Sequence, residues 1–225
     1  KGVTDKTSAA GGGHAHIGMM IYQGDNWPAE YRGRVYTLNL HGRRLNSDIL
    51  VREGAGYTAQ RGPDLCFIAD PFYRGMDLIT GPDGGVFIAD WSDTGECHDH
   101  DGVHRTSGRI YKLTYGQPKP LAPFDLAKLD DSALVQLQTA TNDWYSRQAR
   151  RLIQERSLSP QPRSPISSSK MGTELLAMFD APDAGTPGEK ETLAIRRLRA
   201  LWTLHVEGGA GFDWLKPLQH SDEAI

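Results

Sequence analysis

Cysteine is scarce: the 225 residues hold two, Cys66 and Cys97, and they do not form a C-x-x-C pair. That spacing excludes a zinc knuckle and a c-type haem attachment within the chain. A single disulfide or two separate thiols both remain open, because a disulfide needs a Cα separation of ~4.4–6.8 Å that sequence does not fix. No apolar run approaches the ~20 residues of a membrane-spanning helix, so no transmembrane segment is expected. Excess charge is missing too: the formal net charge is −3, which gives no reason to expect nucleic acid or an anionic membrane surface as a partner. A small neutral ligand or a protein partner fits that balance better. Neither a starting Met nor a signal-like n-region and h-region is found at Lys1. The expectation is therefore an excerpt of a longer protein whose targeting signal lies upstream.

What is present is ordinary globular material, 38% hydrophobic and 24% charged, long enough for one large domain or two small ones. The pattern changes near Gly116. Before it, short apolar runs alternate with Gly, Pro, Asn and Asp, the mark of consecutive strands and tight turns. Strands are expected at 18–22, 34–39, 48–52, 65–69, 76–80, 85–90 and 109–115. Gly81-Pro82-Asp83-Gly84-Gly85 reads as a turn between antiparallel strands, since Pro presets φ and Gly accepts positive φ. Two units of this kind, around Ile17 to Arg52 and Phe67 to Tyr115, are written like β-propeller blades. Two blades do not close a ring, so apolar surface is expected to stay open unless other blades cover it.

Residues 117–129 read as a linker opened by Gln117-Pro118-Lys119-Pro120, and 130–225 as helical. Asp130-Asp131 and Asn142-Asp143 are N-cap signals. The second precedes a helix whose Trp144, Ala149, Leu152 and Ile153 share a face, while Arg147, Arg150, Arg151 and Arg156 are expected in solvent. The Ser- and Pro-rich stretch 157–169 is a loop, two further helices follow at 173–179 and 193–205, and Leu215 and Leu218 would open a next unit. Paired short amphipathic helices suggest an α-solenoid of the HEAT or armadillo type, with a plain helical cap as the alternative. The fold class is thus mainly β to residue 116, an incomplete ring of blades, and all-α from 130.

Three places concentrate chemistry. Between two strands, the segment Asp90 to His104 carries Asp90, Asp93, Glu96, Asp99 and Asp101, oxygen donors suited to calcium, together with Cys97, His98, His100 and His104, which suit zinc or copper. Asp90, Asp93, Glu96 and His98 are the candidate ligands. The same side chains could instead bond the backbone of a long loop, with Asp90 and Arg109 as turn and cross-strand partners. Metal-dependent hydrolysis at the histidines is a further, motif-poor option. In Asn39-Leu40-His41-Gly42-Arg43-Arg44, His41 could act as a base and Arg43 or Arg44 could hold an anion, or the segment could be a tight turn. His14 and His16 would point to one face of a strand, a polar edge rather than a ligand pair.

As a set, Ile21-Tyr22-Gln23-Gly24-Asp25-Asn26-Trp27-Pro28, Asn39-Leu40-His41-Gly42, Gly81-Pro82-Asp83-Gly84, Asp90-Trp91, Ser107-Gly108-Arg109-Ile110-Tyr111 and Asn142-Asp143-Trp144-Tyr145 resemble the planctomycete-type membrane-bound dehydrogenase-like proteins, whose propeller is similar to the glucose/sorbosone dehydrogenases. The resemblance implies an exported, periplasmic or cell-surface protein in which HEAT-like repeats follow the propeller. It also implies pyrroloquinoline quinone and calcium as cofactors, a sugar or related alcohol as substrate, and haem c only in a region outside this chain. Sugar dehydrogenases of this kind carry R-x-R-D before the Pro-Asp-Gly turn. Here Arg74 matches the first arginine and Asp77 the aspartate, but Met76 stands in place of the second arginine. Arg74, with Arg43 and His41, is the cofactor candidate. The family's catalytic base belongs to an earlier blade, so no residue here inherits that role. A non-catalytic module that binds carbohydrate or a protein partner is the competing expectation.

Overall fold

The computed structural model describes residues 6, 11–12, 15–54, 56–95, 106–117, 120–158, 169–182 and 186–208. The chain divides into two compact units, Lys1–Leu121 and Ala122–Ile225. Antiparallel sheet makes up the first and helices the second, so the expected order of β before α is what the protein adopts. None of the described helices is long and apolar enough to cross a membrane.

The first sheet contains β1 (His16–Ile21), β2 (Val35–Asn39), β3 (Arg44–Glu53), β4 (Gly56–Arg61) and β5 (Cys66–Phe67), ordered β1-β2-β3-β4 with β5 on β3. The second contains β6 (Gly75–Thr80), β7 (Val86–Asp90) and β8 (Arg109–Leu113), in that order. The strand alternation that the sequence shows places Leu38, Tyr36 and Leu45 on one side of the first sheet, where they meet Leu78, Val86 and Ile88 of the second in a shared core. Where the sheets meet at β1 and β6, both strands carry a register shift, between Ile17 and Met19 and between Gly75 and Asp77. Gly18 has φ +57°, and a Cβ there would stand 2.9 Å from the Met76 carbonyl oxygen and the Asp77 Cα. Glycine is what lets the two backbones come this close.

One strand escapes the hydrophobic pattern. All of β4 is exposed; it exists because its backbone pairs with the second half of β3, Asp48 with Arg61 through Glu53 with Gly56. Ile49, Val51 and Tyr57 lie open on this two-stranded ribbon, at 37%, 39% and 63% exposure. The start of β3 lies earlier than expected, at Arg44, because Arg44, Asn46 and Ser47 are buried polar residues, a burial that apolar periodicity does not reveal.

A phenol ties the loop after β1 to the turn between β6 and β7. The Tyr22 hydroxyl, on a side chain with no exposed surface, accepts from the Asn26 and Trp27 amides at 3.1 and 2.8 Å and donates to the Gly84 carbonyl at 2.8 Å. Burial raises its pKa despite those amides. Gly84 has φ +76°, and a Cβ would meet the Asn26 nitrogen at 2.4 Å, so the Gly-Pro-Asp-Gly turn needs glycine for its dihedral and for the approach of a second loop.

In the helical unit, α1 (Asp131–Gln136), α2 (Asp143–Ser157), α3 (Lys170–Phe179) and α4 (Pro187–Val206) surround Leu134, Ile153, Leu175, Phe179 and Leu204. Each begins at a side-chain cap: Asp130, Asn142, Ser169, and Thr186 in a capping box with Glu189. Two arginines of α2 depart from the expected solvated face. Arg156 pairs with Asp131 and donates to the carbonyls of Ala127 and Leu129, which anchors part of the stretch read as linker. Arg150 lies over the Trp202 ring, where burial lowers its pKa. Arg199, 7% exposed, donates to the Gln138 and Ala140 carbonyls and pairs with Asp143. Leu215 and Leu218 lie outside the described residues.

Tyr22→Phe leaves the Asn26 and Trp27 amides without an acceptor, at about 1–3 kcal/mol for each unsatisfied buried group. Urea unfolding is expected to show a lower midpoint with an unchanged slope, a loss of about 2–6 kcal/mol.

Candidate functional site

Topology gathers the candidate residues of the β unit at one rim. The end of β2 and the start of β3 bring the turn with His41 and Arg43; the starts of β6 and β8 bring Arg74 and Arg109; the end of β7 brings Asp90 and the loop with Asp93. Asn39, fully buried, fixes the turn by accepting from the Gly42 amide at 2.6 Å, and Arg43 holds φ +49° within it. The Arg43 side chain donates to the Ala69 carbonyl and its own carbonyl accepts from Ile68. His41 is half-buried in the same turn.

Next to Arg43 is Asp70, a residue the sequence reading did not single out. Its carboxylate receives Arg109, whose hydrogen bond holds the Asp70 pKa below the ordinary range. Arg109 also reaches Asp90, with Nε donating at 2.6 Å, across the register pair that joins β7 and β8. The other Asp90 oxygen accepts from the Arg74 and Ser92 amides at 2.7 and 3.1 Å. A continuous polar line thus runs Arg43, Asp70, Arg109, Asp90, Arg74. Ser107 donates to Ser92 at 3.1 Å, so both ends of the Asp- and His-rich loop are fastened. Glu96, His98 and the rest of 96–105 lie outside the described residues.

Arg74 is only 9% exposed, and its guanidinium donates to four main-chain carbonyls, those of Pro71, Tyr73, Thr94 and Gly95. This is a clamp on the chain around the rim. An anionic quinone would have to displace those carbonyls, and Met76, 42% exposed on β6, offers no charge to replace them. The described residues do not fit the quinone that the resemblance implies. Calcium fares similarly among them: Asp90 is already engaged by three donors, Asp93 accepts from the Gly95 amide at 2.9 Å, and no three His, Cys, Asp or Glu side chains converge among the described residues. His16 stands 3.1 Å from the Asn39 amide nitrogen, and His14 lies outside the described residues.

A second polar centre, also unread in the sequence, is Asp64. It accepts from Arg44 and Arg61, both at 2.9 Å, and from Asn46 at 2.6 Å. Asn39 and Asn46 both donate to the Gly11 carbonyl. Only the Gly-Pro-Asp spelling at 62–64 hinted at a turn there.

A family profile described as a domain of unknown function, DUF7133, matches residues 3–117. The chain belongs to the DUF7133 family. Its matched region contains both sheets, the rim and Asp64. No curated protein matches the chain. Among solved structures it is similar to a Thermus thermophilus oxidoreductase described as a glucose dehydrogenase, at 24% identity over 36% of this chain and 22% of that one, with a TM-score of 0.28. The chain therefore spans about a fifth of that protein's length.

In this DUF7133 chain the pH response is expected to centre on Asp64. Burial works to raise its pKa, and the bonds from Arg61, Asn46 and Arg44 together reverse that, leaving it below the ordinary value of 3.8. A depressed carboxyl contributes stability above its unfolded pKa, about 3.9, and that contribution is lost as pH falls through the lower folded value. Acid unfolding curves are expected to begin dropping below about pH 4 and to be flatter in Asp64→Asn.

Proposed function

We propose that this chain is the closing part of a glucose/sorbosone-dehydrogenase-like β-propeller in a longer, exported protein, followed by the first helices of a HEAT-like array. Its work in that parent is to complete the ring and carry the helical region. Oxidation of a sugar or related alcohol, with quinone and calcium, is the parent's chemistry and is performed by residues outside this chain.

One observation supports this reading above the others. The two sheets stack through one face each, and both outer faces keep apolar side chains in the open: Met19 and Ile21 on the first sheet, at 72% and 46% exposure, and Ile79 and Ile110 on the second, at 61% and 78%. Apolar sheet faces are normally covered by another layer. Further sheets of the same parent, stacked in the same manner, are the simplest cover. The role is assigned to scaffold because the rim residues are engaged with each other and with main chain: Arg74 with four carbonyls, Asp90 with Arg109 and two amides. Met76, in the place of the second arginine, favours a second reading in which the parent has lost the chemistry and binds carbohydrate or a protein partner.

The test is dye-linked aldose oxidation by the full-length parent with and without added pyrroloquinoline quinone and calcium, in wild type and Arg74→Ala. The expected result is cofactor-dependent turnover whose quinone affinity is unchanged by Arg74→Ala, while Tm falls because four carbonyls lose their donor. Quinone affinity lost at constant Tm would move the quinone site onto this chain. No turnover and no quinone binding would leave the non-catalytic reading.

A further inference from the structure

Away from the rim, at the edge where β5 faces β8, the two sheets part around a cavity of about 140 Å³. Its walls are Trp27 and Tyr31 from the loop after β1, Leu65 and Cys66 from β5 and its approach, and Leu113 at the end of β8 with Thr114 and Tyr115 beyond it. The aromatic part is held rigidly. Tyr22 stacks on the Trp27 indole at 4.4 Å, and Tyr31 and Tyr36 meet it edge-on at 6.3 and 5.4 Å. The Tyr115 amide donates to the Asn26 carboxamide at 2.7 Å, which fixes the mouth of the cavity, while the Tyr115 side chain stays 62% exposed.

The size and chemistry of the cavity select among ligands. Pockets for drug-sized molecules run to roughly 300–1,000 Å³, so this one takes a single six-membered ring. A pyranose brings hydroxyls all round its edge, whereas among the described side chains lining this space only Tyr31, Thr114 and Tyr115 offer hydroxyls. Each sugar hydroxyl buried without a partner costs more than a hydrogen bond returns. An aromatic ring with one polar substituent has no such deficit: it gains stacking and edge contacts with Trp27 and Tyr31 and a sulfur contact with Cys66. Burial raises the Cys66 pKa, so its free sulfur presents itself as a neutral, polarisable wall.

We infer that this cavity is a binding site for a small aromatic ring of the phenol type, separate from the rim and from any sugar chemistry of the parent. For so small a ligand an affinity of about the millimolar range is expected. Tyr115 forms the lid and Cys66 reports occupancy.

The experiment uses the chain with Cys97→Ser, so that Cys66 is the sole thiol, and follows its alkylation by a maleimide during titration with phenol. Expected is a several-fold slowing with half-effect at millimolar phenol, a weaker effect in Tyr115→Ala, and no protection by methyl glucoside at the same concentrations. Saturation-transfer NMR of phenol on the unsubstituted chain gives a second readout that does not depend on the thiol. No transfer and no protection, protection equal in Tyr115→Ala, or equal protection by methyl glucoside would each overturn the assignment.

Discussion

The hydroxyl of Tyr22 holds the β unit in its present form. It carries three hydrogen bonds on a side chain with no exposed surface, two from successive amides of the loop after β1 and one to the turn between β6 and β7. Those partners belong to elements of both sheets, so the bonds fix how one sheet meets the other, on top of the apolar contact that brings them together. Everything that gathers around Trp27 follows from this fixing: the stack on Tyr22, the edge contacts to Tyr31 and Tyr36, and the anchoring of Tyr115 through Asn26. Apolar burial is non-directional; it is the hydroxyl and the glycine at 84 that give the pairing one geometry.

Sequence revealed the parts of this fold whose cause is local. Alternating apolar residues located seven strands within a few positions, and Gly81 to Gly85 announced its turn because Pro and Gly constrain the backbone on their own. Asp130 and Asn142 announced helix starts for the same reason. Strand β4 stayed hidden because nothing on it is buried; its cause is the pairing of its backbone to β3. The early start of β3 stayed hidden because Arg44 and Asn46 are buried through Asp64, a partner 18 to 20 positions away.

The candidate site was legible in its location and much less in its workings. Reading His41, Arg43, Arg74 and Asp90 as chemically dense picked out residues that the topology does bring to one rim. What sequence does not display is where a guanidinium points. Arg74 aligned with a quinone-facing arginine, and its four carbonyl partners come from positions both before it and about twenty residues after it. Asp70 went unread because an aspartate before a proline looks like turn chemistry until Arg109 is seen beside it. The helical unit repeats the lesson: Arg156 was expected in solvent, yet it straps the carbonyls of Ala127 and Leu129 to a helix, as Arg199 does those of Gln138 and Ala140.

The crossing of β1 and β6 has a geometric consequence. At Gly18 the backbones of the two sheets nearly touch, whereas at the opposite edge, between β5 and β8, indole and phenol rings keep them apart. Two layers pinched on one side and propped on the other form a wedge. The size of Gly18 and the bulk of Trp27 are thus quantities that set the angle between the two layers, close approach at the first and a spacer at the second.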